Sequence, residues 1–328
     1  MLSFVDDPRI QQILTLKKDN DSQWRSDLQR FQQGDVTLDR KTAGENTIKA
    51  VQRLLLFLGY STSSSGSFAI DGDFGRGTNR AVAQFQFEHG LNNSVKRSHL
   101  CYNCTFQTAR KEITIIPDVR LDRPTIEKML AVAIEAIEQN HVNCGNFDEA
   151  IFHLNSLQMN ALLTCRKILE RYGAAVEVAV RRIKDENRVT ILPEWILTII
   201  RQETGGVVRP RFEQHIFSGL NVKLPAEDLT ELRYRSMSFG LGQIMGGNYQ
   251  AVGAASAKAM FTSPIEEQLL FVGKFLCQSR KLREVVAKKT PAAQDFRTLA
   301  RIYNGPLYEK HHYHESIARW FHEFQSIM

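Results

Sequence analysis

The chain has 328 residues, of which 43% are hydrophobic and 24% charged, and its formal net charge is +6. This length accommodates about two domains of roughly 150 residues, and the composition is that of an ordinary globular protein. No apolar run approaches the roughly 18 residues that cross a bilayer, and no basic tract interleaves with aromatic residues, so we expect no stable membrane insertion and no nucleic-acid partner.

The first 40 residues are polar and predict a helical lead-in, with Trp24, Leu28 and Phe31 at helical spacing. A first domain is predicted over residues 41–142. Its first helix ends at Gly59, because glycine is the residue that most readily ends a helix. The apolar stripe of this helix consists of Ile48, Val51, Leu54, Leu55 and Leu58.

A tight turn connects this helix to a second one, which carries Ala81, Val82 and Phe85. The turn consists of Asp71, Gly72, Asp73, Phe74 and Gly75. Its glycines supply unusual φ angles and an aspartate can cap the following helix. A calcium loop is disfavoured, because an EF-hand requires a third oxygen side chain where Gly75 stands.

The residues from Val51 through this turn to Gly90-Leu91 resemble the peptidoglycan-binding type 1 domain. The resemblance implies a three-helix module that attaches cell-wall enzymes to peptidoglycan, with the turn at residues 71–75 in the binding role. The stretch of about 92–110 is an insertion relative to that family. A helix opened by Pro124-Thr125 then follows and is predicted to be the third of the module.

Five cysteines form an odd set, and Cys101 and Cys104 form a CxxC pair. Together with His99 and Cys144 they could supply four zinc ligands, although the spacing matches no standard zinc pattern. Reduced thiols or a local disulfide are the alternatives. We expect no resident metal and no cofactor.

Residues 143–328 are predicted to form a second, mainly helical domain. The stretch 147–184 predicts one or two long amphipathic helices, interrupted near Gly173. Near the C-terminus, the cluster 311–314 contains three histidines around Tyr313. A solvated helix surface explains this cluster better than a metal site does.

A glutamate stands where a helical pattern requires an apolar residue. The helix opens at Pro193 and a glycine pair follows it, with Ile196, Ile199 and Ile200 on one face. The next step on that face reaches Glu203. Apolar neighbours and the helix C-terminus would both raise the pKa of this carboxyl group, as a general acid requires. The alternative is a surface glutamate at a fraying helix end.

Three further segments carry candidate site residues. Residues 212–217 supply a second carboxylate, Glu213, which alternatively forms an ion pair with Arg209 or Arg211, while His215 could pair with it. Residues 236–249 are rich in glycine, which suits a short hairpin or a loop where the backbone approaches another group closely. A helix then ends at Tyr303, whose alternative role is a core aromatic with a satisfied hydroxyl group.

These segments together resemble the N-acetylmuramidase family of modular phage endolysins, within the lysozyme-like group. The four motifs, in the family's order, are Glu203-Thr204-Gly205-Gly206, residues 212–217, residues 238–246 and Tyr303-Asn304-Gly305-Pro306. The resemblance implies that Glu203 is the general acid and that Glu213 offsets charge or activates water. It also implies a glycan cleft lined by Phe239, Gly240, Gln243, Tyr249, Tyr303 and Asn304.

The expected protein is thus mainly α, with a three-helix peptidoglycan-binding domain and a lysozyme-like catalytic domain that includes a small β-hairpin. The resemblance implies hydrolysis of the MurNAc-β-1,4-GlcNAc bond for bacterial lysis. The alternatives are a lytic transglycosylase, which leaves 1,6-anhydro-MurNAc ends, and a non-catalytic wall-binding or tail structural protein.

The N-terminus lacks the basic and apolar regions of a secretory signal. We therefore expect synthesis in the cytoplasm and action on the periplasmic cell wall, reached through a phage pore or a secretion system. Besides peptidoglycan, secretion machinery or a cognate immunity protein are the expected partners.

Overall fold

The structure, a computed structural model, describes residues 2–14, 21–34, 37–39, 41–63, 69–100 and 118–328. This part of the chain contains fifteen α-helices, three short 3-10 helices and one small sheet, so the predicted mainly α class is confirmed.

The first six α-helices are α1 Pro8–Leu14, α2 Asp21–Gln33, α3 Glu45–Phe57, α4 Arg76–Glu88, α5 Arg123–Glu138 and α6 Phe147–Gln158. The next four are α7 Cys165–Asn187, α8 Pro193–Glu203, α9 Gln214–Lys223 and α10 Leu229–Arg235. The last five are α11 Ala257–Thr262, α12 Ile265–Leu276, α13 Arg280–Val286, α14 Ala293–Tyr303 and α15 Tyr313–Ile327.

The described chain divides into two compact units that are not continuous in sequence. Unit 1 contains residues 1–160 and 209–238, and unit 2 contains residues 161–208 and 239–328. The predicted domains, 41–142 and 143–328, were each continuous in sequence. The place of residues 209–238 in unit 1 was therefore not predicted from the sequence.

A single hydrophobic core holds unit 1 together. Trp24 and Phe31 of α2 are 1% and 0% exposed and share this core with Leu55 of α3 and Phe85 of α4. The predicted helical lead-in is therefore part of the packed unit. The predicted first, second and third helices of the module correspond to α3, α4 and α5. At its N-terminus α5 is capped by Asp122, whose side chain accepts the backbone N–H of Thr125.

Unit 2 is built on the long helix α7, against which α8, α12 and α15 pack. The predicted interruption near Gly173 is wrong, because α7 continues through this residue and the break lies at residues 159–164. A glycine costs a helix only about 1 kcal/mol. The buried face of α7 outweighs that cost, and it consists of Ile168, Tyr172, Val176, Ala179 and Ile183.

The sheet contains three short strands in the order β1, β2, β3, which are Arg211–Phe212, Met237–Phe239 and Ile244–Met245. β1 pairs antiparallel with β2, with Arg211 opposite Ser238 and Phe212 opposite Met237. The predicted short hairpin in the glycine-rich segment is confirmed by β2 and β3. Among the described helices, none combines the length and the apolar character needed to span a bilayer.

Candidate active site

Glu203 is the last residue of α8, and its backbone position follows from the sequence. Pro193 opens the helix, and Gly205 and Gly206 follow it with φ angles of 56° and 78°. These positive φ angles suit glycine and turn the chain out of the helix. The apolar face predicted for α8 is completely buried, with Ile196, Ile199 and Ile200 at 0% exposure. The side chain of Glu203 is half-buried at the end of this face.

Thr204 connects the end of α8 to the glycine-rich hairpin. Its hydroxyl group lies 2.9 Å from the carbonyl oxygen of Leu241, to which it donates, and 3.1 Å from that of Ile200. The side chain is 6% exposed, so these bonds form away from bulk water. The residue after the glutamate thus fixes the distance between α8 and the turn of the hairpin.

The end of α14 is connected to the same turn by Tyr303. The hydroxyl group of Tyr303 donates to the carbonyl oxygen of Gly242 at 2.6 Å, and its ring packs edge-on against Phe275. A Cβ atom at position 242 would lie 2.9 Å from this hydroxyl oxygen and would also meet Val272. Glycine is therefore required at residue 242 so that the tyrosine can reach the backbone. The hydroxyl group of Tyr303 is satisfied, as its alternative interpretation expected.

Tyr313, which sequence reasoning left in a solvated histidine cluster, contacts the predicted general acid directly. Its hydroxyl group donates to Oε1 of Glu203 at 2.5 Å, and the residue is 4% exposed. The neighbouring His311 and His312 are exposed, as expected for that cluster, whereas His314 is buried, so the expectation of a solvated surface is wrong for Tyr313 and His314. Tyr313 is the first residue of α15, which packs against α8. Only a pairing of α15 with α8 could have revealed this contact, because no local motif marks the tyrosine.

The two tyrosines are neutral hydrogen-bond donors at neutral pH. Burial, followed by the nearby Glu203 carboxylate, raises the pKa of Tyr303 well above its usual value of 10.0. The same two causes, joined by the hydrogen bond itself, raise the pKa of Tyr313 well above 10.0. Both phenols therefore keep their protons while facing a carboxylate, so they donate hydrogen bonds and carry no charge.

The turn of the hairpin is strained at Gln243, a non-glycine residue with a φ of 49°. Such a conformation costs of order 1–3 kcal/mol and is concentrated at functional sites. The side chain of Gln243 donates from Nε2 to the carbonyl oxygen of Gly240 at 3.2 Å. Gly240 itself has a φ of 66°, and a Cβ atom there would lie 2.6 Å from Oε1 of Gln268. The turn is thus held in a defined and largely buried conformation, and its Leu241 accepts the hydroxyl group of Thr204, the residue after Glu203.

The remaining predicted cleft residues are placed differently from one another. Phe239 is 3% exposed and packs edge-on against Phe261, which puts its ring in the core. Tyr249 follows the short 3-10 helix Gly246–Asn248 and is half-buried. Asn304 caps the C-terminus of α14 and is exposed. The predicted role of each in glycan binding stays a prediction.

Glu213 belongs to unit 1, whereas Glu203 and the cleft residues from Phe239 onward belong to unit 2. Its carboxylate lies 2.9 Å from Nε of Arg211 and 3.7 Å from Nδ1 of His215. The ion pair with Arg211, which the sequence offered as an alternative, is therefore present. Because Arg211 is 68% exposed, this pair stabilises the fold by at most about 1 kcal/mol. The carboxylate of Glu213 can therefore exchange it for another contact at little cost.

Gln52 of α3, which is 1% exposed, holds the turn at residues 71–75 through hydrogen bonds. Nε2 of Gln52 donates to Oδ1 of Asp71 at 2.7 Å, and its Oε1 accepts the backbone N–H groups of Asp71 and Gly72. Phe74 is buried, while the side chains of Asp71 and Asp73 are exposed. The turn is thus structurally defined and presents two carboxylates on its surface.

The described residues contain no group of three or more metal-ligating side chains. Cys144, Cys165 and Cys277 are free and buried. Cys101 and Cys104, and most of the predicted insertion, lie outside the described residues, so the zinc and disulfide alternatives for them stay predictions.

Two family models and one solved structure are similar to parts or most of the chain. The sequence model of the family described as "N-acetylmuramidase" matches residues 225–325, and the one described as "Putative peptidoglycan binding domain" matches residues 44–94. The crystal structure of a Burkholderia AP3 phage endolysin aligns over 89% of this chain and 100% of that chain, with 16% sequence identity and a TM-score of 0.36. No curated protein sequence matches the chain.

The chain therefore carries a C-terminal N-acetylmuramidase domain and an N-terminal peptidoglycan-binding domain, as the two resemblances predicted. A protein of this organisation is a peptidoglycan hydrolase, a glycosidase whose partner is the cell wall. The matched muramidase segment contains the glycine-rich turn and the Tyr303 segment, but it begins after Glu203 and Glu213.

Proposed function

We propose that the protein hydrolyses the β-1,4 bond between MurNAc and GlcNAc, with Glu203 as the general acid. The observation that carries this proposal is the convergence of three segments at one carboxylate. Thr204 binds Leu241, Tyr303 binds Gly242, and the hydroxyl group of Tyr313 binds Glu203. A half-buried carboxyl group that is held by a neutral hydrogen-bond donor can protonate a glycosidic oxygen bound next to it.

The proposed reaction also needs a second carboxylate, which offsets the positive charge that develops on the sugar. Glu213 is our candidate, because its ionic neighbours Arg211 and His215 are exposed side chains whose charges solvent screens. It would either stabilise the oxocarbenium-like transition state or activate a water molecule. The turn at residues 71–75 would hold the enzyme on the glycan network while this chemistry proceeds.

We further propose that the enzyme serves bacterial lysis, either as a phage endolysin released through a membrane pore or as an antibacterial effector of a secretion system. The positive net charge of +6 favours attraction to an anionic wall.

The test is digestion of purified sacculi by the wild type, Glu203→Gln and Glu213→Gln, with product masses as the readout. The matched control is Glu284→Gln, because Glu284 is 60% exposed and forms an ion pair with Arg280 at the surface. We expect reducing MurNAc ends from the wild type and the control, a loss of at least a hundredfold in Glu203→Gln, and a smaller loss in Glu213→Gln. If the products carry anhydro-MurNAc ends and no reducing ends, the enzyme is a lytic transglycosylase and the proposed hydrolysis is wrong.

A further inference from the structure

The segment that carries Glu213 folds with the peptidoglycan-binding module. Residues 209–238 belong to unit 1 together with the matched binding domain at 44–94. Within this segment, Phe217 and Leu232 are 0% exposed and share a core with Phe85 of α4. The module and the segment are therefore parts of one folded body, although about 115 residues of sequence separate them.

A buried ion pair joins the two parts. Arg233 of α10 lies with Nε 2.8 Å from Oε1 of Glu88 and with Nη2 3.2 Å from Oε2, and both side chains are 3% exposed. Glu88 also accepts the hydroxyl groups of Tyr60 at 2.7 Å and Thr230 at 3.0 Å. Arg233 in turn donates to the carbonyl oxygen of Gly59 at 2.5 Å. Each nitrogen of the guanidinium group and each oxygen of the carboxylate thus has at least one hydrogen-bond partner, as a buried charge pair requires.

The surroundings of the pair favour the charged state. Burial by itself lowers the pKa of the Arg233 guanidinium, but the attraction of Glu88 and of the tyrosines Tyr60 and Tyr234 outweighs it, so the pKa is raised. The guanidinium carbon lies 3.9 Å and 4.4 Å from the centres of these two rings. Removal of either charged partner would leave the other buried and uncompensated.

Two further arginines of the module hold the same segment. The guanidinium group of Arg80, which is 8% exposed, lies 5.0 Å from the ring centre of Phe212, the residue before Glu213. Arg97 donates to the side chain of Asn221 and to the carbonyl oxygen of Glu227 at 3.3 Å. The segment is therefore held at its start, middle and end.

The ion pair is connected to Glu213 through a short path. Ser236, the C-cap of α10, accepts at its carbonyl oxygen the backbone N–H of Glu213 at 2.9 Å. Its backbone N–H donates in turn to the carbonyl oxygens of Arg233 and Leu232. The pairing of β1 with β2 spans the same region. A displacement of α10 would therefore move the backbone of Glu213.

We propose that Glu88 and Arg233 are positioning residues for Glu213, so that the peptidoglycan-binding module is an integral part of the catalytic machinery as well as a wall anchor. This inference rests on the proposed role of Glu213. A module that served only as an anchor would affect activity on intact sacculi and leave activity on short soluble glycan fragments unchanged.

The test uses the full chain and two substrates, intact sacculi and soluble glycan fragments released from them. The variants are Glu88→Gln and Arg233→Met, with Arg97→Ala as a milder change and Arg120→Ala as the control, since Arg120 is 69% exposed in unit 1. We expect all variants to bind sacculi as the wild type does. On soluble fragments, kcat should fall at least tenfold in the ion-pair variants and about threefold in Arg97→Ala, and KM should change little. Arg120→Ala retains wild-type values, and Arg233→Lys restores part of the loss.

Combination with Glu213→Gln separates positioning from general destabilisation. If Arg97 and Glu88 act through Glu213, their substitutions cause no further loss of kcat in a Glu213→Gln background. Additive losses in that background, or full kcat on soluble fragments in folded Glu88→Gln and Arg97→Ala, would overturn the proposal. A wild type that fails to cleave either substrate, or a fully active Glu213→Gln, would instead overturn the proposed function.

Discussion

Replacement of Tyr313 by phenylalanine tests whether the contact with Glu203 serves catalysis. The substitution keeps the buried ring and removes only the hydroxyl group that lies 2.5 Å from Oε1 of Glu203. A hydrogen bond to a charged group contributes about 1.5–3 kcal/mol, and a loss of about 1.4 kcal/mol lowers a rate tenfold. We therefore expect kcat on sacculi to fall about tenfold at the pH optimum.

The pH dependence of kcat tests the same contact, because the direction in which it shifts in Tyr313→Phe can be predicted. The hydrogen bond from Tyr313 favours the ionised form of Glu203, so its removal favours the protonated form of this carboxyl group. A general acid acts while it is protonated, and activity is lost as pH rises through its pKa. The alkaline limb of the kcat profile of Tyr313→Phe should therefore move to higher pH.

The matched control is Tyr308→Phe, because Tyr308 is 9% exposed and its hydroxyl group binds the surface residue Glu309 at 2.9 Å. This variant should keep both the rate and the pH profile of the wild type. The reasoning would be refuted by a Tyr313→Phe enzyme whose kcat and alkaline limb equal those of the wild type while Glu203→Gln is inactive.

Three further changes have expected outcomes. Gly242→Ala places a methyl group 2.9 Å from the hydroxyl group of Tyr303, which binds the turn, so the rate of lysis should fall at least tenfold and Tm should drop. The control is Gly219→Ala, whose added methyl group meets no atom within 4 Å and which should be neutral or stabilising. Thr204→Val removes the buried hydrogen bond donated to Leu241 and the one accepted from the backbone N–H of Gly206, and it should cost about 1–3 kcal/mol in denaturant unfolding, with Thr204→Ser close to the wild type. Burial raises the pKa of Cys165 from 9.0 to about 12 and that of Cys277 to about 11, so both thiols should resist alkylation at pH 8 until denaturant is added. Because the unfolded thiols release their protons first, the free energy of unfolding should decrease as pH rises above 9, and a melting temperature that does not fall between pH 9 and 11 would contradict this assignment.

The local sequence determined the helix that ends at Glu203. Pro193, the apolar face and the glycine pair are all contiguous signals, and the helix begins and ends where they place it. The hairpin and the helix end at Tyr303 were predictable for the same reason, because glycine and helix-capping signals act within a few residues. The break predicted at Gly173 failed because the burial of a long apolar face overrides a single unfavourable propensity.

Contacts between distant segments were beyond the reach of the sequence. Tyr313 reaches Glu203 across 110 positions, and it does so because α15 packs against α8. The bond between Thr204 and Leu241 likewise depends on how the hairpin lies against the end of α8. No periodicity or capping rule carries information over such separations, since both describe only neighbours along one element.

The sequence by itself thus predicted the mainly α class, the peptidoglycan-binding and muramidase domains, and the helix that ends at Glu203. The tertiary structure alone decided that the Glu213 segment folds with the peptidoglycan-binding module and that a tyrosine from α15 holds Glu203. The physical reason is that secondary structure follows from local sterics and hydrogen bonds, whereas the pairing of surfaces follows from burial summed over the whole chain.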